Sequence, residues 1–388
     1  MLRWLFAIIL LAVPVGVMDT TAFLNPGGYP SLQGFLSGSD NIKIASYTFT
    51  SSAIMNDLLR EKAAGASITV LVDASPVGGL PDEEVLCELV KNNVSVYLYD
   101  GPHRFMHAKY IINGDSVLIS TENLGYDGFV NNYGNRGWGV VINDKSIASQ
   151  LEAVFDEDIE YAQAFVCDLD SYIIYEETVD GYEYAPATYT GQDAELIIAP
   201  DAVEDMLDLI DSAERSLYVE QFYIYRYWDK NKDNLFLEAV IDKARQGINV
   251  KILMDSYWYN TEADDPVSNL NTFNYVNQIA TNENLNLEAR LADLSALEVE
   301  KLHIKGMIID GKTALISSIN WNENSPRNNR EIGVVVSGDA AQYFSDAFMR
   351  DWNNEKTDME TKENGDLLVL VLIITAVVAI FIVYLNRN

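Results

Sequence analysis

Between positions 42 and 73 the chain alternates apolar and polar residues, changes to helical spacing, and returns to a β-branched run. The segments are IKIASYTF at 42–49 and GASITVLVD at 65–73. The same order recurs as LYVEQFYI at 217–224 and GINVKILMD at 247–255. Each unit predicts a strand, a helix closed by a glycine (Gly65, Gly247), and a second strand ending in an aspartate (Asp73, Asp255). Strand–helix–strand order predicts parallel pairing of the two strands.

The likeness continues with MHAKYIINGDSVLISTEN at 106–123 and LHIKGMIIDGKTALISSIN at 302–320. Both alternate on either side of an Asn-Gly or Asp-Gly pair, which predicts a β-hairpin. Then follow NRGWGVVI at 135–142 and NREIGVVV at 329–336, and helical stretches carrying Phe155 with Asp158 and Phe348 with Asp351. The chain therefore reads as an α/β tandem duplication, 23–160 and 195–355, each half a mixed β-sheet flanked by helices. Residues 161–194, rich in Tyr, Glu and Thr, read as a linker or an extra hairpin covering one sheet edge. The stretch 256–300 is longer than its counterpart 74–106, as befits a lid, a substrate wall or a plain surface elaboration.

Two apolar runs lie outside the repeats. Arg3 precedes an uncharged run from Trp4 to Val17, so residues 1–22 are expected to be a signal peptide or an N-terminal anchor, with Thr20 to Ala22 as a weak cleavage position. Residues 367–385 carry no charge and are long enough to cross a bilayer as a transmembrane helix after a juxtamembrane linker at 356–366. Arg387 beyond it marks a short cytoplasmic tail, so the expectation is a membrane-anchored chain with an extracytoplasmic body. In such a compartment Cys87 and Cys167 could pair; spacing alone leaves two buried thiols equally open. The 58 acidic residues against 26 basic ones give a net charge of -32, which opposes attraction to a phosphate backbone and disfavours nucleic acid as a partner.

The chain has three histidines, and two of them, His107 and His303, occupy equivalent repeat positions two residues before Lys109 and Lys305. That spacing sets each His and Lys on one face of the first hairpin strand. Each pair is followed by a hydroxyl residue and an amide: Thr121 and Asn123, Ser318 and Asn320. His103 has no repeat counterpart and is read as a packing residue or a lining of the entrance.

His303, Lys305, Asp310, Ser318 and Asn320 resemble, residue by residue, the signature of the phospholipase D superfamily. The first copy, His107, Lys109, Thr121 and Asn123, is one residue shorter before the turn and has Asn113 where Asp310 stands. The resemblance implies two repeats packed around a shared active site that is complete in a monomer. It also implies a phosphodiesterase that works through a phosphohistidine, and a structural role for Asp310.

Phosphodiester chemistry suits these residues. Two lysines and two carboxamides can neutralise the nonbridging oxygens without a metal or other cofactor, while one imidazole attacks phosphorus and the other protonates the leaving alcohol. The resemblance places an orienting carboxylate in the opposite half. Glu331 occupies that place for His107, whereas the matching position for His303 is Gly137, which offers nothing; His107 is thus expected to be the nucleophile and His303 the general acid. A phospholipid substrate fits a membrane-tethered body, for which Trp228, Tyr257, Trp258 and Tyr259 are either interfacial aromatics or, the favoured reading, ordinary packing residues. A single-strand nuclease and a catalytically idle surface-binding relative are the alternatives.

Overall fold

The computed structural model describes residues 18–80, 83–179, 185–229 and 232–354. The expected N-terminal apolar run, the juxtamembrane linker and the transmembrane span 367–385 lie outside the described residues, apart from residues 18–22. Among the described residues no helix is long and apolar enough to cross a membrane.

The first half and the segment after it contribute β1 (Asp19–Asn25), β2 (Asn41–Ser46), β3 (Ser67–Asp73), β4 (Ser95–Tyr99), β5 (Lys109–Asn113), β6 (Ser116–Ser120), β7 (Gly137–Asn143), β8 (Ala162–Ala164) and β9 (Ala187–Thr190). The second half contributes β10 (Ala194–Ala199), β11 (Ser216–Gln221), β12 (Tyr227–Asp229), β13 (Lys232–Asp233), β14 (Asn249–Met254), β15 (Leu287–Leu291), β16 (Lys305–Ile309), β17 (Thr313–Ser317) and β18 (Glu331–Ser337). β12 and β13 form a small separate ribbon. The two main sheets have the orders β8-β4-β3-β2-β5-β6-β7-β1-β9 and β10-β18-β17-β16-β11-β14-β15. Reversing the second and dropping β8 and β9 from the first gives one topology twice.

The expected pairings are present. β2 and β3 are parallel around the helix Ser52–Ala64, and β11 and β14 are parallel around Leu235–Arg245. The first helix begins where the Ser51 side chain accepts the Ile54 N–H and stops at Gly65, whose φ of 112° is left-handed and costs a glycine little. β5–β6 and β16–β17 are the antiparallel hairpins. One expectation needs correcting: the hairpin strands begin at Lys109 and Lys305, so the two motif histidines stand just ahead of them. Those stretches leave their own sheet and form bridges to the other half, Met106 with Arg330 and Leu302 with Arg136.

Each sheet is apolar on both faces, which explains runs such as SITVLVD. On the outer faces Ile44, Val70 and Leu58 pack in the first half, and Val219, Ile252 and Val240 in the second. The inner faces meet, with Ile112, Ile119 and Val140 in one core with Ile316, Val334 and Val336. The helices Lys145–Ile159 and Asp339–Asn353 add Phe155, Phe344 and Phe348 to that core.

The segment after the first half covers two edges rather than one, since β8 pairs with β4 and β9 with β1 at opposite ends of the larger sheet. Cys87 and Cys167 form a disulfide that ties this segment to the helix Glu83–Lys91. Thr20 to Ala22, the weak cleavage position, lies inside β1, paired with Ile142, Val141 and Val140. The long stretch 256–300 contains the helix Asn269–Glu283 and β15, which correspond to the helix Glu83–Lys91 and β4; its extra residues fall before that helix, in its greater length, and in the helical turn Leu294–Leu297. Trp228 is buried against Phe236 and is a core residue rather than an interfacial one; Trp258 is 66% exposed.

Candidate active site

Because each histidine sits on a stretch that crosses between halves, its environment comes from both. The His107 N–H donates to the Arg330 carbonyl (2.9 Å), and the His303 N–H donates to the Arg136 carbonyl (2.8 Å). This pairing delivers the residue after Arg330, Glu331, to His107: Nδ1 lies 2.8 Å from Oε2. Glu331 Oε1 also accepts from the Ser325 hydroxyl and from Asn329 Nδ2. Although burial opposes ionisation of Glu331, the imidazole it contacts and Lys109 hold its carboxyl below the usual range.

His303 has a carboxylate too, and this corrects the reading of Gly137. His303 Nδ1 lies 3.1 Å from both oxygens of Glu122, in the loop after β6, and Asn135 Nδ2 donates to Glu122 Oε2 at 3.0 Å. Asn135 and Asn329 are equivalent in the repeat, so the two histidine–carboxylate pairs are supported alike while their carboxylates come from different positions. Gly137 contributes space: a Cβ there would lie 2.5 Å from Glu122 Oε1. Sequence reasoning missed Glu122 because its repeat counterpart is Ile319. The available signal was a glutamate standing where the other copy is apolar, next to a glycine standing where the other copy is Glu331.

The two lysines are buried, and each Nζ donates to the carbonyl of its own motif histidine at 2.6 Å. Burial lowers Lys109 to about 8 and Lys305 well below its ordinary value. Both motifs share one electrostatic environment, since Glu122 and Glu331 each act on both lysines. Burial lowers His107, with Lys109 adding to that effect against Glu331; burial, Lys305 and Lys109 push His303 down further. Burial raises Glu122 to about 7, whereas Glu331, beside His107 and Lys109, is held below the usual carboxylate range. Tyr47 packs edge-on to His107 (4.8 Å between centroids) and Phe222 to His303 (4.7 Å). Each imidazole remains 14% exposed, enough for a substrate to reach one edge.

Asn123 and Asn320 follow the hairpins, and the Oδ1 of each is buried and finds no hydrogen-bond partner among the described residues. Thr121 and Ser318 are stitches: Thr121 Oγ1 accepts the Trp138 N–H (3.0 Å) and Ser318 Oγ the Ile332 N–H (3.1 Å). Asp310 is not brought to the site. At the far end of β16, with φ of 56°, it accepts backbone N–H groups of Glu214, Arg215 and Ser216. His103 stacks on Tyr99, with Nε2 3.8 Å from Asp158. The halves are also locked by buried ion pairs, Arg136 with Asp351 (2.8 Å) and Arg330 with Asp158 (2.9 Å). Among the described residues no group of three or more His, Cys, Asp or Glu is arranged to hold a metal ion.

A duplicated α/β chain with two crossed His–Glu pairs and two buried lysines is a site suited to handling a phosphorylated group. The family model "Cardiolipin synthase, PLD-like domain" matches residues 33–159 and 206–352, more than half of the chain, which therefore belongs to this PLD-like family of the phospholipase D superfamily. Among proteins of known structure, the chain is similar in fold to phosphatidylserine synthase from Haemophilus influenzae, with a TM-score of 0.57 and 11% identity over 86% of each chain. Polyphosphate kinase from Porphyromonas gingivalis gives 0.53 and 11% identity, covering 86% of this chain and 50% of that one. In sequence, 132 residues are 28% identical to the DISARM protein DrmC of Bacillus paralicheniformis, covering 34% of this chain. The match spans about half the length of that relative, 48%.

Proposed function

We propose that the protein is a phospholipase D-type phosphodiesterase that cleaves or transfers a phosphodiester through a phosphohistidine, with a phospholipid as substrate. We also propose that residues 367–385 anchor it with its body on the extracytoplasmic side. The observation that carries the chemistry is the pair of crossed contacts, His107 with Glu331 and His303 with Glu122, beside two buried lysines.

The two carboxyl groups give the imidazoles opposite duties. Anionic Glu331 accepts the Nδ1 hydrogen of His107 and leaves a lone pair on Nε2, which attacks phosphorus. Glu122 shares its proton with Nδ1 of His303, so Nε2 of that ring carries the hydrogen that goes to the leaving alkoxide as the P–O bond breaks. The incoming phosphodiester anion offsets the lysine charges that depress His303. Lys109, Lys305, Asn123 and Asn320 take up charge on the nonbridging oxygens. Water or a second alcohol then gives its proton to His303 and attacks phosphorus, and the P–N bond breaks with its electron pair returning to Nε2, freeing His107.

Support for a lipid comes from the net charge of -32, unfavourable for a polyanion, and from aromatic residues that lead outward from the site. Phe222 on His303 meets Tyr259, which meets exposed Trp258. The test is a product screen of the full chain in detergent against phospholipids and single-stranded oligonucleotides, with a rapid denaturing quench at neutral to alkaline pH, where a P–N bond survives, and mass spectrometry. The expected result is lipid turnover that survives chelators and a phosphoryl group on His107. Oligonucleotide cleavage without lipid turnover would overturn the substrate; chelator-sensitive turnover with no trapped phosphoenzyme would overturn the reaction class.

A further inference from the structure

Asp73, which ends β3, and Asp255, which follows β14, belong to neither His–Glu pair, yet both reach the histidine-bearing stretches. Asp73 Oδ2 accepts the N–H of Met106 at 2.6 Å, and its Oδ1 accepts the N–H of Ser75 at 2.8 Å. In the other half Asp255 Oδ1 accepts the N–H of Leu302 at 2.8 Å, while Oδ2 accepts from the Tyr257 N–H (2.9 Å) and Asn260 Nδ2 (2.8 Å). Met106 and Leu302 immediately precede His107 and His303. We propose that Asp73 and Asp255 are positioning residues, each fixing the backbone directly before one motif histidine so that its ring meets the carboxylate of the opposite half.

Three features separate this from ordinary strand-end capping. The contact spans 33 residues in the first half and 47 in the second, so it persists although the intervening chain differs in length. It joins consecutive N–H groups to opposite halves: the residue before the histidine is held by its own half's aspartate, and the histidine N–H by the other half's arginine carbonyl. It also requires a carboxylate, because the two oxygens face N–H donors from two different segments. An asparagine of the same shape would turn its NH2 group toward one of those donors and lose that bond. Both aspartates are at most 4% exposed, and Met106 and Leu302 are fully buried, so water has no access to replace the lost acceptor. Burial raises both carboxyls, Asp255 to about 6, a cost that a merely polar cap would avoid.

The catalytic readout rests on the proposed phosphohistidine mechanism; a second readout does not. Asp73→Asn is expected to slow phosphoenzyme formation about 100-fold with KM little changed, the scale of a small misplacement of a reacting group. Asp255→Asn is expected to slow turnover similarly with alkyl leaving groups and far less with p-nitrophenyl phosphodiesters, whose leaving group needs no proton. Independently of activity, long-range 1H–15N spectra of the three histidines should show the His107 ring shifted by Asp73→Asn and the His303 ring by Asp255→Asn, each leaving the other ring in place. Should Asp255→Asn fail to fold, Asn260→Ala removes one donor to the same carboxylate and should shift His303 alone. Folded variants whose imidazole signals are unmoved, or moved equally in both halves, would overturn the positioning role whether or not the enzyme turns over lipid. Selective ring shifts with no phosphodiesterase activity would uphold it and overturn the mechanism instead.

Discussion

Gly137→Ala tests the corrected view of the site directly. The backbone at 137 is not left-handed, so alanine brings no conformational strain, and every effect must come from its methyl group. That carbon would stand 2.5 Å from Oε1, 2.6 Å from Cγ and 2.9 Å from Cδ of Glu122. Contact at Cγ as well as the carboxylate means a rotation of the terminal group does not relieve it. Glu122 is 1% exposed, and a second glycine, Gly128, lies close on another side, where a Cβ would be 3.3 Å from Glu122 Cβ. The carboxyl must leave His303. A hydrogen bond of this charged kind contributes about 1.5–3 kcal/mol, so the proton-transfer step should slow by about 10- to 150-fold. Overpacking should also lower stability by about 1–3 kcal/mol. The assay compares kcat for alkyl and p-nitrophenyl leaving groups, with denaturant melts alongside. The defect should be confined to alkyl leaving groups, and Gly137→Ala should add little in a Glu122→Ala background, where the space is free. Wild-type turnover of alkyl substrates by Gly137→Ala, or full additivity with Glu122→Ala, would refute the role given to Glu122.

His107→Ala should abolish the phosphohistidine that mass spectrometry would locate after a neutral to alkaline denaturing quench, and His303→Ala should keep it while slowing turnover most for poor leaving groups. For pH, Glu122 at about 7 and Lys109 at about 8 are active in their protonated forms, so kcat/KM should fall as pH rises through this range; a flat profile from pH 6 to 9 would contradict the assignment. Removing one partner of a buried cross-half pair, as in Arg330→Met, leaves Asp158 without its guanidinium partner and with only His103 at 3.8 Å, and should cost about 3–5 kcal/mol in urea unfolding. Protease added outside intact cells should digest the body; digestion only after permeabilisation would reverse the proposed orientation.

Much of the fold was legible because the chain states it twice. The strand–helix–strand units and the hairpins carry matched apolar periods, and a period seen in two copies outweighs local ambiguity at Gly or Asn positions. The same comparison concealed Glu122. Aligning the halves marks 122 and 319 as Glu against Ile and 137 and 331 as Gly against Glu, and both look like drift unless the partners are seen to fill one volume from a loop and a neighbouring strand. The edge strands β8 and β9 were only partly legible, as a linker or a hairpin on one edge: they are short and half-exposed and pair with two opposite edges, so their own sequence carries little β signal. The exit of each histidine stretch toward the other half was likewise invisible, since it depends on long-range pairing with Arg136 and Arg330.

The unequal origin of the two carboxylates bears on what a fused chain can do that two associating copies of one half could not. Identical partners would place identical acids beside both rings, and any gain for one role would be imposed on the other. Here a single covalent chain lets one acid arise from a loop and the other from a strand, equally buried but with different neighbours. Selection can then tune nucleophile and proton donor separately, a division of labour that no exactly symmetric pair could adopt.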